Sequence, residues 1–415
     1  MIRRILNSES FGSPQFIAGA LLLAYLLQCV WLIRNQADHG VLPTSDQALC
    51  IYDGLEQWKG KAIAGTPQAL GAEAASGIPS VGRNGHLRVR DGYDQDRSPF
   101  YYLVAAAPIL ALPRLLPPDS PLGQIWASLP YLFFGVMLGA SLWYVSRRLY
   151  GNAGGYIALV LYCFSPGIIM NTAGAQNLGE MAGTWGAFGT IFTAIAVAHT
   201  LYAPREVILW NGKRIVLLGL SLALAVGTQF SLAILAIVAL PIMFWVAPVR
   251  RRAVIAIWTV ALAVAAVLLL AFYFFQPEML WQVVLRARWI DLRPQAFAMP
   301  NSYWQTLKAI TANSPPLMLG LPIALIAYCA WKRARYFGNT APLLIAGLLF
   351  VLAVGSPDFS AQGFHLAMLT FLYVFVAGVF ADLLETRQSA AVAAGLWGLL
   401  GAASVWNLLQ LARLR

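Results

Sequence analysis

The sequence FIAGALLLAYLLQCVWLI, residues 16–33, is an uninterrupted apolar run long enough to cross the hydrocarbon core of a membrane. Similar runs of about 17 to 25 residues recur along the 415-residue chain, separated by short segments with Arg, Lys, Pro or Gly. Charged residues make up 11% of the chain, against roughly 25% in soluble domains. The sequence therefore predicts an all-α, polytopic membrane protein with a single transmembrane domain over residues 1–415.

The net charge of +11 would suggest a nucleic-acid partner if the chain were soluble. The basic residues instead cluster in short loops between apolar runs, which is the pattern of cytoplasmic loops. The clusters are Arg147 with Arg148, Lys213 with Arg214, Arg250 to Arg252, and Lys332 and Arg333 with Arg335. We therefore predict no nucleic-acid partner and a cytoplasmic N-terminus. The cysteines form no CxxC motif, so the sequence indicates neither a zinc site nor a disulfide framework.

When the basic loops are placed on the cytoplasmic side and the other loops outside, the chain is predicted to cross the membrane about eleven times. Their predicted ranges are 16–33, 122–145, 153–170, 181–201, 215–226, 230–246, 253–275, 317–331, 341–354, 365–383 and 390–409. Two long segments, 34–121 and 276–313, are predicted to stay extracytoplasmic and to carry interfacial helices. The apolar run 99–116 fits either a span or an interfacial helix. The interfacial interpretation is favoured because it keeps Arg147 and Arg148 cytoplasmic.

The stretch TSDQALCIYDGLEQ, residues 44–57, follows the first run and contains three carboxylates, Asp46, Asp53 and Glu56. A carboxylate at the membrane rim can act as a general base, helped by partial desolvation. Asp46 is the candidate for that role. The alternative is that Asp46 caps an interfacial helix together with Thr44 and Ser45, since these residue types favour N-caps.

Nine further polar residues at the predicted outer ends are candidates for binding a substrate. They are Asp53, Asp96, Arg97, Tyr101, Glu180, Arg286, Arg288, Arg293 and His365. Each also has a purely structural interpretation. Asp53 can be solvated, Asp96 can simply pair with Arg97, and Glu180 can stabilise a helix N-terminus. The loop arginines can bind anionic headgroups, and Tyr101 and His365 can lie at the membrane interface.

Four segments, taken in order, resemble the GT-C superfamily of polyprenyl-phosphate-sugar glycosyltransferases, which includes protein O-mannosyltransferases and the lipid A aminoarabinose transferase. An acidic segment after the first span, DQALCIYDGLEQWKG, runs from Asp46 to Gly60. The sequence SPFYY at 98–102 is similar to the superfamily's HPPLYY-like motif, and RRLYG at 147–151 to its RRLFG-like span end. The stretch GLSLALAVGTQFSLAILAIVALP, 219–241, is similar to its glycine-rich helix pair.

Several positions depart from the pattern of the superfamily. Gln47 follows Asp46 where many members have a second acid, and Gln229 stands at the position of the turn lysine. Arg97 or Ser98 stands where the HPP-like motif has its histidine. Asn177 and Glu180 are the nearest equivalents of an aspartate found after the third span in many members.

The resemblance implies a GT-C-like bundle in the plasma membrane, the inner membrane of a bacterium, with an extracytoplasmic active site. It implies inverting sugar transfer from a polyprenyl-phosphate donor to a lipid, glycan or protein acceptor, with Asp46 as general base. Arginines suit the lipid-phosphate leaving group because they form forked, charge-assisted hydrogen bonds. No cofactor is firmly predicted, and a divalent cation at the lipid-phosphate site is the one candidate.

Two other functions fit the same pattern. The departures from the motifs allow a catalytically inactive GT-C-like subunit that binds lipid or an unidentified membrane protein. A transporter or flippase is the weaker alternative, because transport sites usually need ionisable residues inside the spans and this chain has few there.

Overall fold

A computed structural model describes residues 14–38, 54–55, 57–58, 96–111, 120–173, 180–202, 211–290, 292–356, 358–386 and 389–413. All regular structure in these ranges is helical. The α-helices are α1 (Pro14–Asp38), α2 (Pro99–Leu110), α3 (Pro121–Ala127), α4 (Leu129–Cys163), α5 (Pro166–Thr172), α6 (Glu180–Thr200), α7 (Asn211–Thr228), α8 (Ile234–Val246), α9 (Arg251–Phe272), α10 (Pro277–Arg286), α11 (Pro294–Ala298), α12 (Pro300–Asn313), α13 (Leu317–Ala330), α14 (Phe337–Gly355), α15 (Asp358–Leu384) and α16 (Ser389–Arg413). Short 3-10 helices occupy Phe230–Ala233, Pro248–Arg250 and Lys332–Ala334.

Seven helices within these ranges are long and apolar enough to cross a membrane, counting α4 once. The number rises to eight when α12 and α13, which meet at a bend of 111°, are taken as one broken span. The class of a polytopic helical membrane protein is thereby confirmed, whereas the count of eleven spans stays a prediction. Helix α2 has 12 residues and is about 18 Å long, too short for a hydrocarbon core of about 30 Å.

Helix α4 is a hairpin. Gly151 in its middle has φ 73° and ψ −172°, a conformation that only glycine adopts readily. The Tyr162 hydroxyl donates to the carbonyl oxygen of Gly135 at 2.6 Å, and a Cβ on Gly155 would lie 2.9 Å from Cβ of Arg147. Such contacts are impossible along one straight helix, because 27 residues would span about 40 Å. The two halves therefore run antiparallel, as predicted for the runs 122–145 and 153–170.

Helices α6 and α7 pack closely through glycine. A Cβ on Gly186 would lie 2.5 Å from the amide nitrogen of Ala225 and 2.6 Å from the carbonyl oxygen of Ser221. Gly183 and Gly189 face Thr228 and Ser221 in the same way. The two helices also run antiparallel, because earlier positions of α6 meet later positions of α7. The start of α6 therefore lies beside the end of α7.

The bundle has two distinct ends. At the basic end, the Tyr150 hydroxyl donates to Gly338 at 2.5 Å, and Asn339 Nδ2 donates to Asp382 Oδ2 at 3.0 Å. The rings of Trp245 and Phe337 lie 5.0 Å apart at the same end. Burial, with the nearby Asp382 and Glu385 carboxylates, raises the pKa of the Tyr336 phenol there.

The opposite end is called the motif end. It consists of residues 96–98, the start of α6, the turn at 227–230 and the part of α15 around Gly363. The Gln229 side chain touches Gly363 there. The loop after α10 joins it, because the Trp289 ring lies 5.4 Å from the Phe230 ring. Since the basic clusters near Tyr150 and Asn339 lie at the basic end, the charge rule predicts that the basic end is cytoplasmic.

Candidate functional site

A short extended segment, residues 96–98, is hydrogen-bonded to the turn between α7 and the next helix. The Ser98 amide and hydroxyl both donate to the carbonyl oxygen of Gly227, at 3.1 and 2.6 Å. The Phe230 amide donates to the carbonyl oxygen of Asp96 at 2.9 Å. Two of the segments that carry the family resemblance, 98–102 and 219–241, are therefore held together directly.

The sequence Ser98-Pro99 explains how the chain leaves this tether. Ser98 is the N-cap of α2, and its Oγ accepts a hydrogen bond from the Phe100 amide at 3.3 Å. Proline at the first helical position suits a helix start, because its missing N–H would have no helical partner there. Helix α2 thus begins at a fixed point, and Arg97 immediately precedes its N-cap, Ser98.

Arg97 and Glu180 form a buried ion pair at the motif end. Arg97 Nη2 lies 3.7 Å from Glu180 Oε1, and the two side chains are only 11% and 6% exposed. The Arg97 guanidinium also lies over the Tyr101 ring, 3.9 Å from its centroid, a cation–π geometry. The structure therefore brings together three of the residues predicted from the sequence: Arg97, Tyr101 and Glu180.

Two oxygen atoms beside this ion pair have unused hydrogen-bonding capacity. Neither Glu180 Oε2 nor Thr228 Oγ1 makes a hydrogen bond to any residue that the structure describes. Both residues are buried, with Thr228 2% exposed. Gly183, one turn after Glu180, would place a Cβ 2.9 Å from Cβ of Thr228. Buried polar atoms are nearly always paired, so these two oxygens are exceptions among the described residues.

The turn after Thr228 meets the helix that carries His365. Gln229 is buried, and its Nε2 donates to the Ser231 hydroxyl at 2.6 Å. Its side chain abuts Gly363, where any larger residue would collide with it. His365 follows two residues later and is half-buried. The predicted site residue His365 is thus at the motif end, next to the turn.

The end of the acidic stretch packs on α2. Trp58 Nε1 donates to the carbonyl oxygen of Leu103 at 3.0 Å. Gly54 lies against the Tyr102 carbonyl and the Ala106 side chain so closely that no other residue fits. Gln57 between them is 2% exposed, and neither of its amide atoms has a hydrogen-bond partner in the described ranges. Asp46 and Asp53 lie outside the described residues, so their predicted roles stay predictions.

The remaining candidates lie on the motif end in different environments. Asp96 is buried, and its backbone forms part of the tether. Arg286, Arg288 and Arg293 are exposed, in contrast to Arg97. The Arg293 amide donates to the carbonyl oxygen of Gly355 at 2.7 Å, which fixes the loop that carries Arg293. The proposed phosphate contacts of these three arginines stay predictions.

The described part of the chain contains no preformed cluster of metal ligands. No three His, Cys, Asp or Glu side chains within it lie close enough together to hold an ion. The divalent cation suggested for the lipid-phosphate site therefore stays a prediction.

Sequence reasoning did not single out Thr228 or Gln57 as site residues. Thr228 is part of the turn that the sequence predicts between two spans, and Gln57 closes the acidic stretch. What marks Thr228 as a candidate is that its hydroxyl-bearing side chain packs against Gly183 on the neighbouring helix α6. That feature becomes visible only once the pairing of α6 and α7 is known.

No protein-family model and no curated protein matches the sequence. Among solved structures, the chain is similar to the crystal structure of the Archaeoglobus fulgidus oligosaccharyltransferase in its apo form. The identity is 13% and the TM-score 0.43, over 76% of this chain. The match covers 46% of that protein, so the chain matches less than half of its length. A likeness this distant assigns neither a family nor an activity.

Proposed function

We propose that this protein is a membrane glycosyltransferase that moves a sugar from a polyprenyl-phosphate donor to an extracytoplasmic acceptor with inversion at the sugar C1. The observation that carries the proposal is the buried Arg97–Glu180 pair beside the tether from Ser98 to Gly227. Two of the four segments that resemble GT-C glycosyltransferases meet in this tether. In support of the proposal, Trp58, which directly follows residues 44–57, donates a hydrogen bond to Leu103 on α2, the helix that Ser98 caps.

Arg97 suits the leaving group of this reaction. When the bond between C1 and the phosphate oxygen breaks, its electron pair stays on the lipid phosphate, and that charge needs a cation. A guanidinium group binds phosphate through two parallel N–H donors. Its attraction is stronger in a buried site than in water. Glu180 and Tyr101 hold the Arg97 guanidinium in place before the donor arrives.

Asp46 is the proposed general base. Its carboxylate takes the proton of the acceptor hydroxyl while the hydroxyl oxygen attacks C1 from the face opposite the phosphate. The new bond forms as the bond to the phosphate breaks, which gives inversion. General-base catalysis contributes roughly 10² to 10⁴ in rate.

The test is sugar transfer in membranes that contain the full chain and are supplied with polyprenyl-phosphate mannose or glucose. Arg97→Ala removes the cation at the leaving group and is expected to lower the transfer rate by about 10² to 10³. Asp46→Asn removes the base and is expected to lower it at least about 10²-fold. Arg333→Ala is the matched control, since Arg333 forms an exposed ion pair with Glu385 at the basic end. Equal transfer by wild type and Arg97→Ala would contradict the proposal.

A second function, a non-catalytic lipid-binding subunit, is favoured by one observation. Gln229 stands where the resemblance places a lysine. Its side chain donates a hydrogen bond to Ser231 and packs against Gly363. This subunit would bind polyprenyl phosphate through Arg97 without transferring sugar. Binding of that lipid by a wild-type protein that transfers nothing from any donor would select this function.

A further inference from the structure

Two buried polar atoms next to Arg97 are not needed to bind the lipid phosphate. A phosphate needs only the guanidinium, yet Glu180 Oε2 and Thr228 Oγ1 are also buried beside it without a hydrogen bond to a described residue. Burying an unsatisfied hydroxyl or carboxylate oxygen costs about 1–3 kcal/mol or more. An apolar residue at either position would avoid this cost. A ligand group that hydrogen-bonds to both oxygens explains their presence.

Three contacts place these two oxygens near one another and near Arg97. Arg97 pairs with Glu180 at 3.7 Å. The residue after Arg97, Ser98, is hydrogen-bonded to Gly227, the residue before Thr228. Gly183, on the turn of α6 next to Glu180, touches Thr228. Arg97, Glu180 and Thr228 are therefore mutual neighbours at one corner of the motif end.

The charges of this corner restrict what can bind there. A carboxylate oxygen and a hydroxyl could serve a metal ion, but the Arg97 guanidinium 3.7 Å away already offsets the charge of Glu180, which disfavours a cation. In its ionised form, paired with Arg97, the Glu180 carboxylate accepts hydrogen bonds and therefore selects a hydrogen-bond donor. A threonine hydroxyl both accepts and donates. Neutral hydroxyl groups meet these requirements, and they occur next to a phosphate in a glycosyl phosphate.

We infer that Glu180 and Thr228 recognise the sugar of the donor, by hydrogen-bonding to its hydroxyl groups while Arg97 binds the adjoining phosphate. The inference rests on the proposed polyprenyl-phosphate donor and adds the residues that select for the sugar on it. Arg97 then contributes to the binding of every polyprenyl phosphate. Glu180 and Thr228 contribute only when a sugar is attached.

The experiment measures binding of two kinds of lipid by the full chain in nanodiscs. One is a short polyprenyl phosphate without sugar, and the other is the same lipid carrying mannose, glucose or N-acetylglucosamine. Thr228→Val keeps the shape of the side chain and removes its hydroxyl. We expect it to weaken binding of the preferred sugar-bearing lipid about tenfold and to leave the sugar-free lipid unchanged. Glu180→Gln is expected to reduce the same preference, and Arg97→Gln to weaken both lipids.

Two controls separate recognition from folding. Thr228→Ser keeps the hydroxyl and is expected to retain the preference for the sugar-bearing lipid. Thr190→Val removes another buried threonine hydroxyl, on α6, whose hydrogen bond to Gly186 at 2.8 Å is already made within the helix. We expect Thr190→Val to bind both lipids as the wild type does.

The outcomes distinguish this inference from the proposed function. A wild-type protein that prefers a sugar-bearing lipid, with the preference intact in Thr228→Val and Glu180→Gln, overturns the inference alone. The same holds if no sugar in the panel improves binding over the sugar-free lipid. A wild-type protein that binds none of these lipids contradicts the proposed donor, and the inference fails with it.

Discussion

At the scale of single residues, Arg97 and Glu180 depend on each other. Both side chains are nearly enclosed by the protein, so each charge is largely kept from water, and the two charged groups lie 3.7 Å apart. Removing one partner of such a pair leaves a buried charge and typically costs 3–5 kcal/mol, whereas replacing both by uncharged residues of similar size is often harmless. The pair can therefore be tested for stability separately from catalysis.

We predict that Arg97→Met lowers the free energy of unfolding by about 3–5 kcal/mol, because Glu180 then lies buried without its cation. The double variant Arg97→Met with Glu180→Gln is expected to recover most of this loss and to stay inactive in sugar transfer. Thermal unfolding in detergent, followed for wild type, both single variants and the double variant, gives the comparison. A double variant that melts below both single variants would refute the mutual dependence.

At the residue scale, the sequence singles out side chains whose charge alone makes them conspicuous, and the structure brings two of them, Arg97 and Glu180, together. Arg97 and Glu180 stand out because few charged residues occur in this apolar chain. Thr228 and Gln57 do not stand out, since Thr and Gln are ordinary residues in turns and loops. What distinguishes them is burial without a described hydrogen-bond partner, a property of tertiary packing that no local pattern encodes.

At the scale of helices, glycine spacing alone did not predict which faces pack. Gly183, Gly186 and Gly189 recur every three residues, as do Gly395, Gly398 and Gly401, and this spacing favours close helix packing equally in both sets. The first set touches α7 within van der Waals distance, whereas no described atom lies within 4 Å of a Cβ on the second set. Helical periodicity shows that glycines share a face. It does not show whether another helix covers that face.

This difference predicts opposite responses to the same substitution. Gly186→Ala places a methyl group against the backbone of α7, so the helices must separate, at a cost of about 1–3 kcal/mol. Gly398→Ala meets open space within the described structure and removes a residue of low helix propensity, so we expect unchanged or slightly raised stability. The melting temperatures of the two variants in detergent check this. Equal losses in both would argue against the packing of α6 on α7.

At the scale of the whole molecule, the apolar runs and basic loops were sufficient to predict the class of fold. Alternating crossings place the 147–151 loop and the 332–335 loop at one end, and the structure joins them through Tyr150 and Gly338. The number of membrane crossings is harder to predict from the sequence. Proline and glycine divide several runs into short helices, as at the 111° bend between α12 and α13, and composition alone does not reveal such bends.

The orientation of the whole bundle is open to a direct test. We predict that the basic end faces the cytoplasm, because Lys and Arg are retained on that side during insertion. Single cysteines at Arg333→Cys and Glu278→Cys, in a chain lacking its four native cysteines, would report the two ends. A membrane-impermeant maleimide applied to intact cells should label Glu278→Cys at once and Arg333→Cys only after permeabilisation. The reverse pattern would place the motif end in the cytoplasm and exclude an extracytoplasmic acceptor.

The hydrogen bond from Ser98 to Gly227 has a consequence for biosynthesis. Its two residues are 129 positions apart, and at 5–20 residues per second a ribosome needs on the order of ten seconds to make the chain between them. During that interval the start of α2 has been translated, but the Gly227 carbonyl oxygen that accepts the hydrogen bond from Ser98 has not yet been made. The corner formed by Arg97, Glu180 and Thr228 is therefore completed only after translation has passed α7, so a nascent chain halted before Gly227 would be inserted without it.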